Sequence, residues 1–150
     1  MKANRVLVPL DASDFGLHVF PHVTRLLEPD RTEIYLLHVE PAPEAVTIDE
    51  HVVVYADQAT ASVRAESLVA LQPYVRGLES LGYEVAPLVA FGEPATEIER
   101  TAVEKDVDLI AMATHGRTGV ARLLRGSVAQ QVASRAEVPV LLYRVPNPEE

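Results

Sequence analysis

Apolar runs alternate along this chain with stretches of helical spacing, and that alternation constrains its fold more than any other feature. "RVLVPLD" reads as a buried strand near Arg5–Leu10, apolar on both faces, and "EIYLLHVEP" as a second over Glu33–Val39, stopped by Pro41. "YEVAPLVAFG", "DLIAMAT" and "VPVLLYR" supply a third, fourth and fifth. Between them, Asp11, Ser13 and Asp14 offer caps for a helix to about Leu27, which Pro21 should kink or shorten. A second helix is expected from about Asp57 on Leu68, Leu71, Val75 and Leu78, interrupted at Pro73 and followed by Gly82. Gly92, Glu93 and Pro94 form a turn with the proline just inside a third helix, roughly Ala95–Lys105, and "SVAQQVASRA" is a fourth. Strands that alternate with helices predict an α/β fold with a parallel sheet and right-handed crossovers. Pro9 has no N–H for a ladder, so pairing should loosen toward the end of the first strand. Within residues 41–56, "HVVVY" fits either an added strand or the buried start of a helix.

At 150 residues the chain fits one domain, residues 1–150, with no tandem repeat or internal linker and "NPEE" as a loose tail. Thirteen basic side chains against 22 acidic ones leave a net charge of -9, which argues against a nucleic-acid-coating protein. The charge is uneven. Residues 109–136 hold Arg117, Arg122, Arg125 and Arg135 and no acid, a local +4 that leaves -9 - 4 = -13 elsewhere. A small anion at the basic segment is therefore expected rather than a polyanion, which the acidic remainder would repel. Absence of cysteine excludes disulfides and thiolate metal sites. The N-terminal apolar run is too short for a signal peptide and no stretch is long enough to span a membrane, so a cytoplasmic protein is expected.

The basic segment has a suggestive place. Ligands of open parallel sheets sit beyond the carboxyl ends of the strands, where strand order reverses. The loop Thr114–Gly126 leaves such an end and finishes in Gly126-Ser127 at a helix start, where free N–H groups and the helix dipole favour phosphate. Gly116 and Gly126 would let backbone approach oxygens closely. A second reading needs no ligand: Ser127 followed by Gln130 is a capping-box pattern, and Gly116 permits a turn.

These residues carry a resemblance. The frame Ala113, Thr114-His115, Gly116, nine residues from Arg117 to Arg125, then Gly126-Ser127 is similar to the signature of the universal stress protein family. "VLVPLDAS", "GEPATEI" and "VPVLLYR" extend the likeness over nearly the whole chain. The resemblance implies a single-domain open parallel five-stranded sheet with helices on both faces, Rossmann-like and adenine nucleotide alpha hydrolase-like, dimeric and binding ATP with Mg or Mn. It places Pro9 and Asp11 by the adenosine and the Val39 backbone along the adenine. It lines the ribose and phosphates with Ala113, His115, Gly116, Gly126, Ser127 and Val128. Ala113 departs from the family's first glycine; its methyl would crowd the ligand unless the residue keeps ordinary backbone angles.

Other residues have plainer readings beside these. Asp11 also serves as a helix cap, and Arg117, Arg122 and Arg125 as solvated loop charges that raise the local potential. His115 is either a solvated loop histidine or a phosphate contact. His18 and His22 share a helical spacing, but no acidic base lies between them and Pro21 disturbs the turn, so no metal site is expected. His38 and His51 stand alone and receive no role. The chain lacks a Gly-Lys-Ser/Thr phosphate grip, a His-x-Gly-His, a Gly-x-Ser-x-Gly and an acidic phosphoacceptor after its third strand. No catalytic residue is assigned, and slow incidental ATP hydrolysis is the most expected of it. The leading expectation is a nucleotide-responsive stress module with an unknown protein partner; the alternative is a dimerisation module of the same fold without nucleotide. The family's sheet order makes the fifth strand an outer one, so a homodimer is expected through Val140–Arg144, against a monomer whose "VPNPEE" tail guards the edge.

Overall fold

Strand β1 (Asn4–Leu10) is the middle of a five-stranded sheet, because Val6, Leu7 and Val8 are apolar on both pleats and need cover on both. The computed structural model describes residues 4–10, 19–42, 47–48, 51–52, 56–115 and 128–145. In these the chain runs through α1 (Phe20–Leu26), a 3-10 turn (Pro29–Arg31), β2 (Thr32–Glu40), two short strands β3 (Thr47–Ile48) and β4 (His51–Val52), and α2 (Ala56–Glu79). It continues through β5 (Glu84–Phe91), α3 (Pro94–Glu104), β6 (Leu109–His115), α4 (Val128–Arg135) and β7 (Val140–Val145). The sheet order is β5-β2-β1-β6-β7, every pair parallel. Counting only these five strands in chain order, that is 3-2-1-4-5. The chain builds outward from β1 to β5, then returns to the other side of β1, so strand order reverses between β1 and β6.

Two cores follow from the pleat. Val6, Val8, Ile34 and Leu36 meet Val19 and Val23 at α1 and Leu71, Val75 and Leu78 of α2. On the other face Leu7, Leu37, Ile110 and Met112 meet Ala95, Ile98 and Ala102 of α3 and Ala129 and Val132 of α4. Each fully buried leucine or isoleucine contributes about 1.5–3 kcal/mol. Tyr83 joins the turn after α2 to the end of α1: its hydroxyl donates to the Leu27 carbonyl at 2.6 Å, beyond the last turn of that helix.

Several expectations need correction. Pro73 does not interrupt the second helix, which runs on to Glu79. Pro73 is exposed and the carbonyl it leaves undonated belongs to Val69, 70% exposed, so the defect faces water while Leu71, Val75 and Leu78 hold the inner face. Pro21 lies in the first turn of α1, where a missing N–H costs nothing; the proposed caps Asp11, Ser13 and Asp14 lie outside the described residues. In the 41–56 stretch the strand alternative holds for His51–Val52, which pairs antiparallel with Thr47–Ile48, and the helix starts at Ala56. The last strand starts at Val140, two residues later than the apolar run, after Pro139 has accepted a hydrogen bond from Ile110 at 3.0 Å.

Candidate functional site

Pro9 loosens the sheet on one side only. β1 stays in register with β2 as far as Leu10↔His38, but its ladder with β6 is registered only at Val6↔Leu109 and Leu7↔Ile110. The reason is the alternation of backbone direction. The Arg5 carbonyl accepts from the Asp108 N–H at 2.8 Å, so Arg5, Leu7 and Pro9 turn their backbone groups toward β6. The hydrogen bond that residue 9 would donate into β6 cannot form. Regular pairing therefore fails at the carboxyl end of the strand pair where the order reverses, the place where open α/β sheets hold ligands.

The flanking strands reach farther. β2 continues two residues past Leu10↔His38, to Glu40, and the Glu40 carbonyl accepts from the Gly92 N–H at 2.9 Å, facing β5. By alternation Val39 faces the β1 side, one residue beyond the last registered pair. Ile110 donates to Pro139 on the β7 side, so Ala113 faces β1 from the opposite flank. Pro9, Val39 and Ala113 thus come together around the end of β1 through backbone rather than side chains. Ala113 is an ordinary strand residue registered with Tyr143, and the one non-glycine with positive φ among the described residues is Asp106. The backbone at 113 therefore does not require glycine.

His115 is the last residue of β6 and Val128 the first of α4, a half-buried position. No acid occupies the first turn of α4, which suits an anion at its N-terminus. Asp11, Gly116, Gly126 and Ser127 lie outside the described residues, as do Arg117, Arg122 and Arg125. Arg135 is described. It sits in the last turn of α4, about 10 Å along the helix from Val128, with its Nη2 toward Gln131 Oε1 at 3.4 Å. Of the four arginines counted over 109–136, Arg135 alone lies among the described residues, at the far end of α4 from Val128.

A polar network that carries no sequence assignment borders these residues. His38 Nδ1 is 3.1 Å from the Leu10 carbonyl oxygen and Nε2 is 2.9 Å from Glu40 Oε1. Ser67, 7% exposed on α2, donates its hydroxyl to the same Glu40 oxygen at 2.8 Å. That hydroxyl, with His38, holds the Glu40 carboxyl below its usual range against the opposing effect of burial. Arg64, one turn before Ser67, donates to the Val89 carbonyl at 2.9 Å and lies 5.1 Å from the centre of the Phe91 ring. The His38–Glu40 pair was legible as an i, i+2 couple on one face of a strand. Ser67 and Arg64 come from a helix some 27 residues away and leave no local signal.

Among the described residues no group of three or more His, Asp or Glu side chains could hold a metal ion, and no helix is long and apolar enough to cross a membrane. The residues present fit an adenine nucleotide in kind: backbone groups at the strand ends for a base, and an acid-free helix start for phosphates.

Known proteins resemble this chain over nearly its whole length. The model of the universal stress protein family matches residues 2–144. Universal stress protein MJ0531 of Methanocaldococcus jannaschii is 30% identical over 97% of this chain and 84% of its own length. Universal stress protein YxiE of Bacillus subtilis is 30% identical over 94% of this chain and 99% of its own length. Among solved structures, protein MJ0577 superposes with a TM-score of 0.78 at 26% identity, covering 98% of this chain and 99% of that one. Two more distant structures share the fold and hold nucleotides. One is an Arabidopsis thaliana protein with AMP bound (TM-score 0.68, 18% identity, 98% and 94% covered). The other is a universal stress protein in complex with cAMP (TM-score 0.63, 18% identity, 96% and 98% covered).

Proposed function

This chain belongs to the universal stress protein family, and we propose that it is a cytoplasmic stress-response module that binds ATP, with Mg or Mn, at the carboxyl end of its sheet. The observation that carries this reading is the interrupted β1–β6 ladder, with Val39 and Ala113 turning backbone groups toward the end of β1 from its two flanks. In this reading Pro9 and Asp11 border the adenosine and Val39 presents its backbone to the base. Ala113, His115, Gly116, Gly126, Ser127 and Val128 line the ribose and phosphates, the last three by the N–H groups that open α4. The AMP and cAMP held by distant members of the fold support an adenine ligand. ATP in place of AMP is favoured by the length of the Gly116–Ser127 segment and its three arginines, which suit more than one phosphate.

Binding, not turnover, is the proposed role, because the sequence carries no Gly-Lys-Ser/Thr grip on a terminal phosphate and no set of described residues supplies a positioned base beside one. Calorimetric titration with Mg-ATP tests it. The native protein should bind and Gly126→Val should not, since bulk there blocks the phosphates. Equal affinity places the phosphates elsewhere, and no binding by either favours the nucleotide-free dimerisation module.

The proposed assembly is a homodimer through Val140–Arg144. Among the described residues β7 is an outer strand of the sheet with Leu142 40% exposed, and an apolar outer strand suits a second copy. Sedimentation should show a native dimer and a Leu142→Lys monomer. A native monomer at micromolar concentration would refute the dimer.

A further inference from the structure

A groove of about 600 Å³ opens between α3 and the turn that leads from α4 into β7. Its floor is apolar: Ala102, Val107 and Ile110 are buried and Val138 is half-buried. Val103 stands at its rim, 73% exposed. A groove of this size falls within the roughly 300–1,000 Å³ of sites that hold small organic molecules. It takes in Asp106 and Val107, in the turn before β6, and Glu137 and Val138, in the turn before β7. It therefore lies toward the amino ends of those strands, away from the proposed nucleotide.

The charges along the groove are unevenly answered. Both of its arginines are engaged: Arg100 Nη1 lies 3.0 Å from Glu97 Oε1, and Arg135 Nη2 is 3.4 Å from Gln131 Oε1. Asp106 is paired with Arg5 at 3.5 Å. Glu99, Glu104 and Glu137 also line the groove, and among the described residues Glu104 and Glu137 have no side-chain hydrogen bond or ion pair. Glu99 is the decisive one. Its Oε1 is wholly buried and has no hydrogen-bond partner, the one such side-chain atom among the described residues. A carboxylate oxygen withdrawn from water without a donor costs free energy that a ligand's N–H would recover.

We propose that this groove binds a small organic cation, an alkylammonium or guanidinium head on an apolar body. The head donates to the Glu99 carboxylate, and Glu104 and Glu137 raise the local concentration of cations. The body lies along Ala102, Val107 and Val138 and takes the exposed methyls of Val103 out of water. An anion of the same shape is turned away by like charge, and a neutral alcohol leaves the carboxylates without a counter-charge. A trough of this volume suits a small molecule better than a protein face, which needs about 800 Å² from each partner. None of these residues belongs to the proposed nucleotide set, so the two sites stand or fall separately.

Methyl NMR spectra of the full chain at neutral pH, titrated with hexylammonium, hexanol and hexanoate in turn, test the site. Hexylammonium should shift the Val103, Val107, Ile110 and Val138 methyls saturably. Hexanol should bind about tenfold more weakly, the size of one charge-assisted hydrogen bond, and hexanoate should leave these methyls unmoved. Glu99→Gln keeps the shape of the side chain and should lose about tenfold in hexylammonium affinity, so that the variant no longer prefers the cation to the alcohol. Val103→Lys, at an exposed position, should abolish binding by setting the protein's own ammonium in the groove, with the core methyl spectrum otherwise preserved. Absence of any shift at these methyls overturns the proposal, as does equal binding of the three probes. Hexylammonium affinity undiminished in Glu99→Gln or in Val103→Lys places the cation elsewhere on the acidic surface and overturns it too.

Discussion

The two ends of the sheet solve the same problem with opposite chemistry. At the amino end, Arg5 lies 3.6 Å from Glu33 and 3.5 Å from Asp106, and its backbone N–H donates to the Asp108 carboxylate at 2.9 Å. Arg5 and Glu33 are half-buried, whereas the Asp106 side chain is 73% exposed. Ion pairs there gain little after solvent screening, and their use is to fix how the α3–β6 turn meets β1. At the carboxyl end the described polar groups hold backbone: His38 the Leu10 carbonyl, Arg64 the Val89 carbonyl, the Gly92 N–H the Glu40 carbonyl. The amino end spends its charges on itself. The carboxyl end positions the strand termini around which the proposed ligand sits, so changes there should reach function as well as stability.

The largest effect expected from breaking this contrast is at Gly92. Its φ of +145° is one that side chains rarely adopt, and a Cβ would lie 2.9 Å from Oε1 of the buried Glu97. Gly92→Ala should cost about 2–3 kcal/mol in urea unfolding. It should also weaken Mg-ATP binding, because the residue anchors Glu40. Undiminished affinity in a destabilised protein would separate the β5 turn from the site.

Ser67→Ala should cost less, about 1–2 kcal/mol, by leaving the Glu40 carboxylate short of its nearest donor. It also carries a pH signature. The Glu40 carboxyl is held below its usual range in the folded chain. Its contribution to stability is therefore complete above the ordinary carboxylate range and lost as pH falls through the folded value. Thermal unfolding from pH 7 downward should show native protein and variant converging in acid. A constant gap would mean that Ser67 acts through packing alone.

The smallest effect belongs to the amino end. Asp108→Ala removes the acceptor of the Arg5 N–H at an exposed position and should cost about 0.5–1.5 kcal/mol, with Mg-ATP affinity unchanged. A loss of affinity there comparable to that of Gly92→Ala would erase the functional distinction between the two ends.

Much of this architecture was legible. The strands were found because their apolar runs need cover on both faces, and α3 because Gly92-Glu93-Pro94 is a turn with a built-in helix start. The structure adds that Glu93 caps that helix itself, its carboxylate accepting from the Ala95 and Thr96 N–H groups at 3.2 and 2.8 Å. Pro73 was misread because propensity knows nothing of which side of a helix meets water. His38 was passed over because its meaning depends on a carbonyl 28 residues earlier and a serine 29 residues later, brought together by strand pairing and helix docking.

Alternation of apolar and amphipathic segments, an acid-free basic stretch and a glycine frame determined from sequence alone that this is a parallel α/β domain of the universal stress protein family. Those signals are local, and local periodicity follows directly from which faces must leave water. Three things were decided only in three dimensions. Pro9 breaks the ladder on the β6 side, because backbone direction alternates and residue 9 faces that way. Ala113 needs no glycine, because pairing with Tyr143 holds it in an ordinary strand. His38 holds Leu10 and Glu40 together, because donor and acceptor geometry exists only once separate strands and a helix have met.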